Sequence, residues 1–399
     1  MHANLLSRNC QLFRWRLLML PLILLFGCTA CSTQTIKQEY PQALFRDDLF
    51  VADTTIDRTR DIFASDKAMR AFIATEIVSQ LRSTSHQRAL FNALYNRAQL
   101  RLEYDSSFTR TASEAFAARS GNCLSLVIMT AALAKEMGLS VQYQKVLTKD
   151  DWSRSGGLYF TSGHVNIVLG KKRFDDKNHV DQNYQMTIDF LPPQDTANQR
   201  TLDLEEHTII AMYTNNRAAE SLARNEVDQA YWWIKEAIKF DPQLSYAYNT
   251  LGVIYLRHKQ AEYAYRSLEI ALKTDPDSLV AMSNMVQALE MLGRETDALA
   301  LNEQLLSKQP YPPFHFFNLG MQAMNVSNFQ QAKIFFQREL KRAPDYHEFH
   351  FWLGLAHLRL GELEFAQKEL DLAKANSTTQ KDYALYSAKL NRLNALRRE

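Results

Sequence analysis

Pro242, Pro276, Pro310 and Pro344 recur every 34 residues. A proline at a fixed interval stops a helix there, because it has no N–H to donate and its ring clashes with the preceding turn. Ala230, Ala264, Ala298, Ala332 and Ala366 keep the same phase, as do Gly252, Gly320 and Gly354, which skip one unit. Small residues at two fixed places per period let paired helices approach closely, and the larger apolar residues fill the space between them. Tyr248, Leu251, Gly252, Tyr255, Ala264, Leu268, Ala271 and Pro276 show the pattern complete within one unit. Such a chain stacks helical hairpins, each touching only its neighbours.

The 34-residue period of paired helices resembles the tetratricopeptide repeat. Five units are expected over residues 208–378, at about 211–244, 245–278, 279–312, 313–346 and 347–378. Ala218 and Val286 stand where glycine is usual in the first and third units. Residues 379–399 place Tyr383, Tyr386, Leu390 and Leu393 on one helical face, as a capping helix over the last unit would. The resemblance implies a concave face lined by the first helix of each unit, with Tyr246, Asn249, Phe317, Met321 and Phe351 among its groove positions. That face is apolar enough for a peptide, a partner protein or the chain's own first domain. The same residues also suit tighter internal packing or cover by a second copy.

The other end of the chain reads as an export signal over residues 1–31. Arg8, Arg14 and Arg16 precede an apolar run from Leu17 to Phe26, too short for a membrane span of roughly 20 residues. Leu25-Phe26-Gly27-Cys28 resembles the bacterial lipobox, and Cys31 is a second candidate for lipidation. The resemblance implies a lipid-anchored envelope protein, and Thr29 or Ser32 after the cysteine implies the outer membrane, facing the periplasm. Residues 32–62 read as a tether and lead-in. Lys and Arg number 46 against 44 Asp and Glu, and three of the arginines lie in the signal, so no basic excess points to nucleic acid.

Residues 63–200 carry the candidate chemistry. Ala68 to Leu100 has helical periodicity, Thr111 and Glu114 form a capping-box pattern, and Gly121-Asn122 precede an apolar helix from Cys123 to Met137. Strands are expected at Val141–Val146, His164–Leu169 and Gln185–Phe190, with a loop from Thr148 to Thr161 that contains Trp152. Cys123 is the only cysteine after residue 31, so in an oxidising compartment it has no evident disulfide partner. The first turn of a helix favours a thiolate, and its N–H groups suit an oxyanion. His164 on a neighbouring strand can act as base and Asp189 on the next can orient it. His179 and His207 are rival bases, and Asp175, Asp176, His179 and Asp181 read as a solvated loop rather than a metal site.

Ser120-Gly121-Asn122-Cys123, the run Ala131 to Leu139, Gly163-His164-Val165 and Thr187-Ile188-Asp189 resemble the transglutaminase-like branch of the papain-like cysteine enzymes. Asn166 stands where that family often has an aromatic residue, and Asp189-Phe190-Leu191-Pro192 replaces its usual Asp-Pro. The resemblance implies an α+β papain-like fold with Cys123, His164 and Asp189 as catalytic residues and no cofactor or metal. With the repeats, the expected architecture is an α+β transglutaminase-like domain followed by an all-α solenoid. The expected function is a cysteine protease, amidase or acyltransferase of the envelope that meets its protein substrate through the repeats, with Trp152 as a candidate substrate contact. The alternative is a non-catalytic interaction lipoprotein.

Overall fold

The computed structural model describes residues 41–52, 61–95, 100, 102–155, 158–172, 185–190, 200–311 and 313–396, without the side chains of 148–155, 158–162, 171–172 and 396. Cys10, Cys28 and Cys31 lie outside the described residues, as do Asp175, Asp176, His179 and Asp181.

The α+β region begins with α1 (Lys67–Phe72), which runs through a π turn and a 3-10 turn to Arg82, and with α2 (His86–Tyr95). The helical periodicity of Ala68 to Leu100 is therefore divided between two helical stretches at Ser83-Thr84-Ser85. Ser83 Oγ and Thr84 Oγ1 both donate to the Gln80 carbonyl, side-chain bonds that compete with helix propagation. The short strands β1 (Glu103–Tyr104) and β2 (Ser120–Gly121) pair in parallel on either side of α3 (Ala112–Ala118). Then comes α4 (Cys123–Glu136), in which every residue from Leu124 to Ala134 is buried. A helix apolar all round belongs in a core, and burying Leu124, Leu126, Val127, Ile128, Met129 and Leu133 contributes on the order of 10 kcal/mol. Gly138, at φ +74°, turns the chain out of it.

A four-stranded sheet packs against α4. Its strands are β3 (Leu139–Ser155), β4 (Leu158–Lys172), β5 (Met186–Ile188) and β6 (Thr201–Leu204), in the order β5-β4-β3-β6, every neighbour antiparallel. The expected loop at Thr148–Thr161 is corrected: β3 and β4 continue as a hairpin, pairing Trp152 with Thr161 and Ser155 with Leu158 beyond an irregularity after Val146. β6 was not expected either.

Eleven helices follow among the described residues. α5 (Glu206–Ala223) and α6 (Val227–Phe240) form the first hairpin; α7 (Ser245–Arg257) with α8 (Ala261–Thr274), and α9 (Leu279–Met291) with α10 (Glu295–Lys308), form the next two. α11 (His315–Asn325) with α12 (Phe329–Leu340), and α13 (His347–Arg359) with α14 (Leu363–Ala375), complete five, and α15 (Gln380–Leu396) covers the last. A Cβ on Gly252 would come within 2.6 Å of Leu268, and one on Gly320 within 2.4 Å of the Phe336 ring, so these glycines are where the paired helices touch. In α15 Tyr386, Leu390 and Leu393 are buried, whereas Tyr383 is 46% exposed. Among the described residues, no helix is long and apolar enough to cross a membrane.

Residues 41–52 were expected as part of a tether, but they pack on the first two hairpins. Phe50 stacks on Tyr231 at 3.9 Å, Asp47 accepts from Tyr231 and Lys235, Trp232 donates to the Val51 carbonyl, and Tyr255 donates to that of Leu44. The segment is held by stacking and hydrogen bonds together.

Candidate active site

The approach to Cys123 is built from local signals. Thr111 caps α3 reciprocally with Glu114, and α3 ends at Arg119 in the left-handed region, φ +52°. Gly121 has room for no side chain, since a Cβ there would meet that of Ser125 at 2.7 Å. Asn122 then caps α4, its Oδ1 accepting from Ser125 N at 2.9 Å and from Ser125 Oγ at 2.8 Å. Cys123 is the first residue of that helix, half-buried and not in a disulfide.

His164 lies on β4 and Asp189 directly follows β5, which pairs with β4 through Ile167 and Ile188. His164 Nε2 meets Asp189 Oδ1 at 2.6 Å, with the imidazole only 5% exposed. The Cys123 thiol lies close enough to the same ring to raise its pKa, and with Nε2 engaged by the carboxylate, Nδ1 is the ring nitrogen that remains for it. Burial opposes the imidazolium, but Asp189 and Cys123 outweigh it, and the pKa of His164 is raised to about 9. A ring held between carboxylate and sulfur is protonated at neutral pH, which suits it to give a proton to a leaving amine.

Asp189 is itself positioned. Asn166 Nδ2 donates to its other oxygen at 3.4 Å, and Tyr95 OH donates to its backbone carbonyl at 2.6 Å. Sequence reasoning treated Asn166 only as a departure from a family pattern. Its spacing of two from His164 puts both side chains on one face of the strand, a signal that was there to use. Tyr95, at the end of α2, carried no such signal.

The other site candidates fall elsewhere. Trp152 lies on the hairpin extension, its side chain outside the description. His207 is exposed in the first turn of α5. Phe317 and Phe351, expected on an open groove, are core residues: Phe317 is fully buried beside Phe336 and Phe349, and Phe351 stacks on Tyr386 of α15 at 4.8 Å. Tyr246 packs against the cores of both regions. Asn249 accepts from Asn284 at 2.8 Å, and Met321 is half-buried.

Fold and site together define a repeat protein whose α+β region holds a Cys–His–Asp cluster. Residues 317–379 match the model of the tetratricopeptide repeat family, and the C-terminal half is an all-helical solenoid of such repeats. Protein FlbA of Caulobacter vibrioides is 27% identical over 135 residues, which are 34% of this chain and 23% of FlbA, so the chain spans about a quarter of that relative's length. Among solved structures, PilF of Pseudomonas aeruginosa is 18% identical, covering 47% of this chain and 94% of its own with a TM-score of 0.27. TTC0263, a thermophilic TPR protein of Thermus thermophilus, is 17% identical, covering 45% and 98% with a TM-score of 0.29.

Proposed function

We propose that this chain is a protein-interaction scaffold whose first region adds a transglutaminase-like thiol site. Tetratricopeptide repeats commonly bind protein or peptide partners, and the family match lies within them, which supports the scaffold. The enzymatic part is carried by one observation, the His164 imidazole held by Asp189 at 2.6 Å and near enough to the Cys123 thiol for the two to interact. In this reading Cys123 sulfur attacks the carbonyl of a peptide or side-chain carboxamide. A C–S bond forms, the C–N bond breaks, and the His164 imidazolium gives its proton to the leaving amine. Water then releases the acid, or a second amine forms a new amide. Trp152 is the candidate to contact substrate.

A thiol-reactive probe on the full chain tests this. Cys123 should label rapidly below pH 7, and His164→Ala should abolish that labelling. Labelling only after unfolding would overturn the enzyme and leave the non-catalytic scaffold.

The envelope location is part of the same proposal, supported by the signal-like residues 1–31. Labelled palmitate should enter the wild type but not a variant with both Cys28→Ala and Cys31→Ala; incorporation into that variant refutes the anchor.

A further inference from the structure

We propose that Thr378 and Gln380, at the far end of the repeat array, are positioning residues for the Cys123 site, so that the shape of the array is read by the nucleophile. This rests on the reading of Cys123 as a nucleophile.

The loop from Glu103 to Thr111 is where the two ends of the array meet. Its first residues form β1, which pairs Glu103 with Ser120 and Tyr104 with Gly121, the strand that leads into Asn122 and Cys123. Glu103 N donates to the Arg119 carbonyl and Asp105 N to that of Gly121, both at 3.0 Å. Displacing β1 therefore displaces the backbone that sets the first turn of α4.

From the near end of the array, α5 grips this loop at Thr109. Glu220 Oε1 accepts from Thr109 N at 2.7 Å, and Thr109 Oγ1 accepts from the side chain of Asn122, the cap of the nucleophile helix, at 2.9 Å. From the far end, 272 residues along the chain, the Thr378 carbonyl accepts from Ser106 N at 2.9 Å. Gln380 Nε2 donates to Glu103 Oε2 at 2.7 Å. Five repeats and one loop thus form a closed path, and the loop is the segment next to the thiol.

The path has a weak joint. Counting the half-buried residues packed on them, the apolar clusters of the first three hairpins and of the fourth share no member among the described residues. Those of the fourth and fifth share Trp352, so the gap falls between α10 and α11. On α10, Leu299 is 65% and Leu306 45% exposed, and Phe314, which precedes α11, sits at φ +63°. Closely packed interiors transmit displacement, whereas a break in the core lets the distal hairpins turn as a body. A protein partner that changes the curvature of the array would move Thr378 and Gln380 against the loop.

Gln380→Glu sets a carboxylate against Glu103, and both positions are exposed, so the variant should fold with an unchanged melting midpoint. Hydrogen exchange over 103–121 should accelerate about fivefold, as expected on losing one net hydrogen bond. Iodoacetamide labelling of Cys123 should change its rate and pH profile alongside. Adding Glu103→Lys should restore both by pairing opposite charges. Faster exchange at 378–385 with 103–121 and the labelling profile unchanged would overturn the proposal, as would faster exchange over 103–121 that leaves the labelling profile alone. Wild-type Cys123 that labels only on unfolding would instead sink the nucleophile reading, and the exchange measurement would still decide whether the two ends are coupled.

Discussion

Asp189→Asn isolates what the carboxylate does for His164. The imidazole stands at about 9 against an ordinary 6.5, and at about 1.4 kcal/mol per pH unit this favours the imidazolium by about 3 kcal/mol. Burial alone would push the other way, so Asp189 and Cys123 together supply more than that net figure. The substitution keeps the shape and removes the charge. Asn166 Nδ2 already donates to the second carboxylate oxygen, so the replacement amide keeps its oxygen toward Asn166 and turns its NH2 toward His164 Nε2. That arrangement demands a neutral ring with its proton on Nδ1, the wrong tautomer to take a proton from sulfur. The ring midpoint, followed by NMR, should fall from about 9 to below 7, and iodoacetamide labelling of Cys123 at pH 6 should slow by about tenfold or more. Stability gives a second reading. A pKa raised in the folded state contributes stability that is full below about 6.5 and is lost as pH rises through about 9. The difference in unfolding free energy between wild type and variant should be widest below pH 6.5 and shrink towards pH 9. A midpoint that stays near 9 in the variant, or a stability difference that grows with pH, would refute the argument.

Two further outcomes test the packing. Gly320→Ala gains about 1 kcal/mol of helix propensity but drives a methyl to 2.4 Å from the Phe336 ring. Overpacking costs about 1–3 kcal/mol, so denaturant titration should show a net loss, and a variant more stable than wild type would count against a close α11–α12 contact at Gly320. Phe50→Ala removes the ring stacked on Tyr231 and should cost about 3 kcal/mol. It should also open residues 41–52 to limited proteolysis; an unchanged cleavage rate would mean the segment is held by its polar bonds alone.

Legibility from sequence tracked how local the cause was. The repeats were readable because proline, glycine and alanine each mark a position where only a small or helix-ending residue works, as the contacts of Gly252 and Gly320 show. The Thr111 cap was readable for the same reason, since caps are local, and Gly121-Asn122 marked where α4 begins, though not that Asn122 caps it. The hairpin extension was missed because Thr148 to Thr161 lacks apolar alternation, although Gly156-Gly157 between two such runs was a turn signal. The groove was misjudged at Phe317 and Phe351 because family positions do not say what a neighbouring helix covers, and α15 covers Phe351. The contacts of Phe50 and of Thr378 join residues 181 or more positions apart, and no sequence period encodes them.

The two ends of the array hold the α+β region in different ways, and the difference sets where a partner can act on the thiol. α5 belongs to both cores: Ile209, Met212 and Tyr213 pack with the α+β region, while Ala211, Ala218 and Leu222 pack with the repeats. Polar ties reinforce that end, with Glu206 bonded to Lys135 of α4 and to Tyr143 of β3. A helix shared by two cores cannot turn relative to one without breaking the packing of the other, at several kcal/mol for each large side chain exposed. Among the described residues, the far end holds the loop by exposed hydrogen bonds at Ser106 and Glu103, each worth about 1 kcal/mol. A partner binding the first hairpins therefore meets a rigid body, and its binding energy has little to displace. A partner binding across α10 and α11 works against these surface hydrogen bonds, not against a shared core, in moving the distal hairpins off the loop. If occupancy of the repeats alters Cys123, the fourth and fifth hairpins are the part that carries the signal.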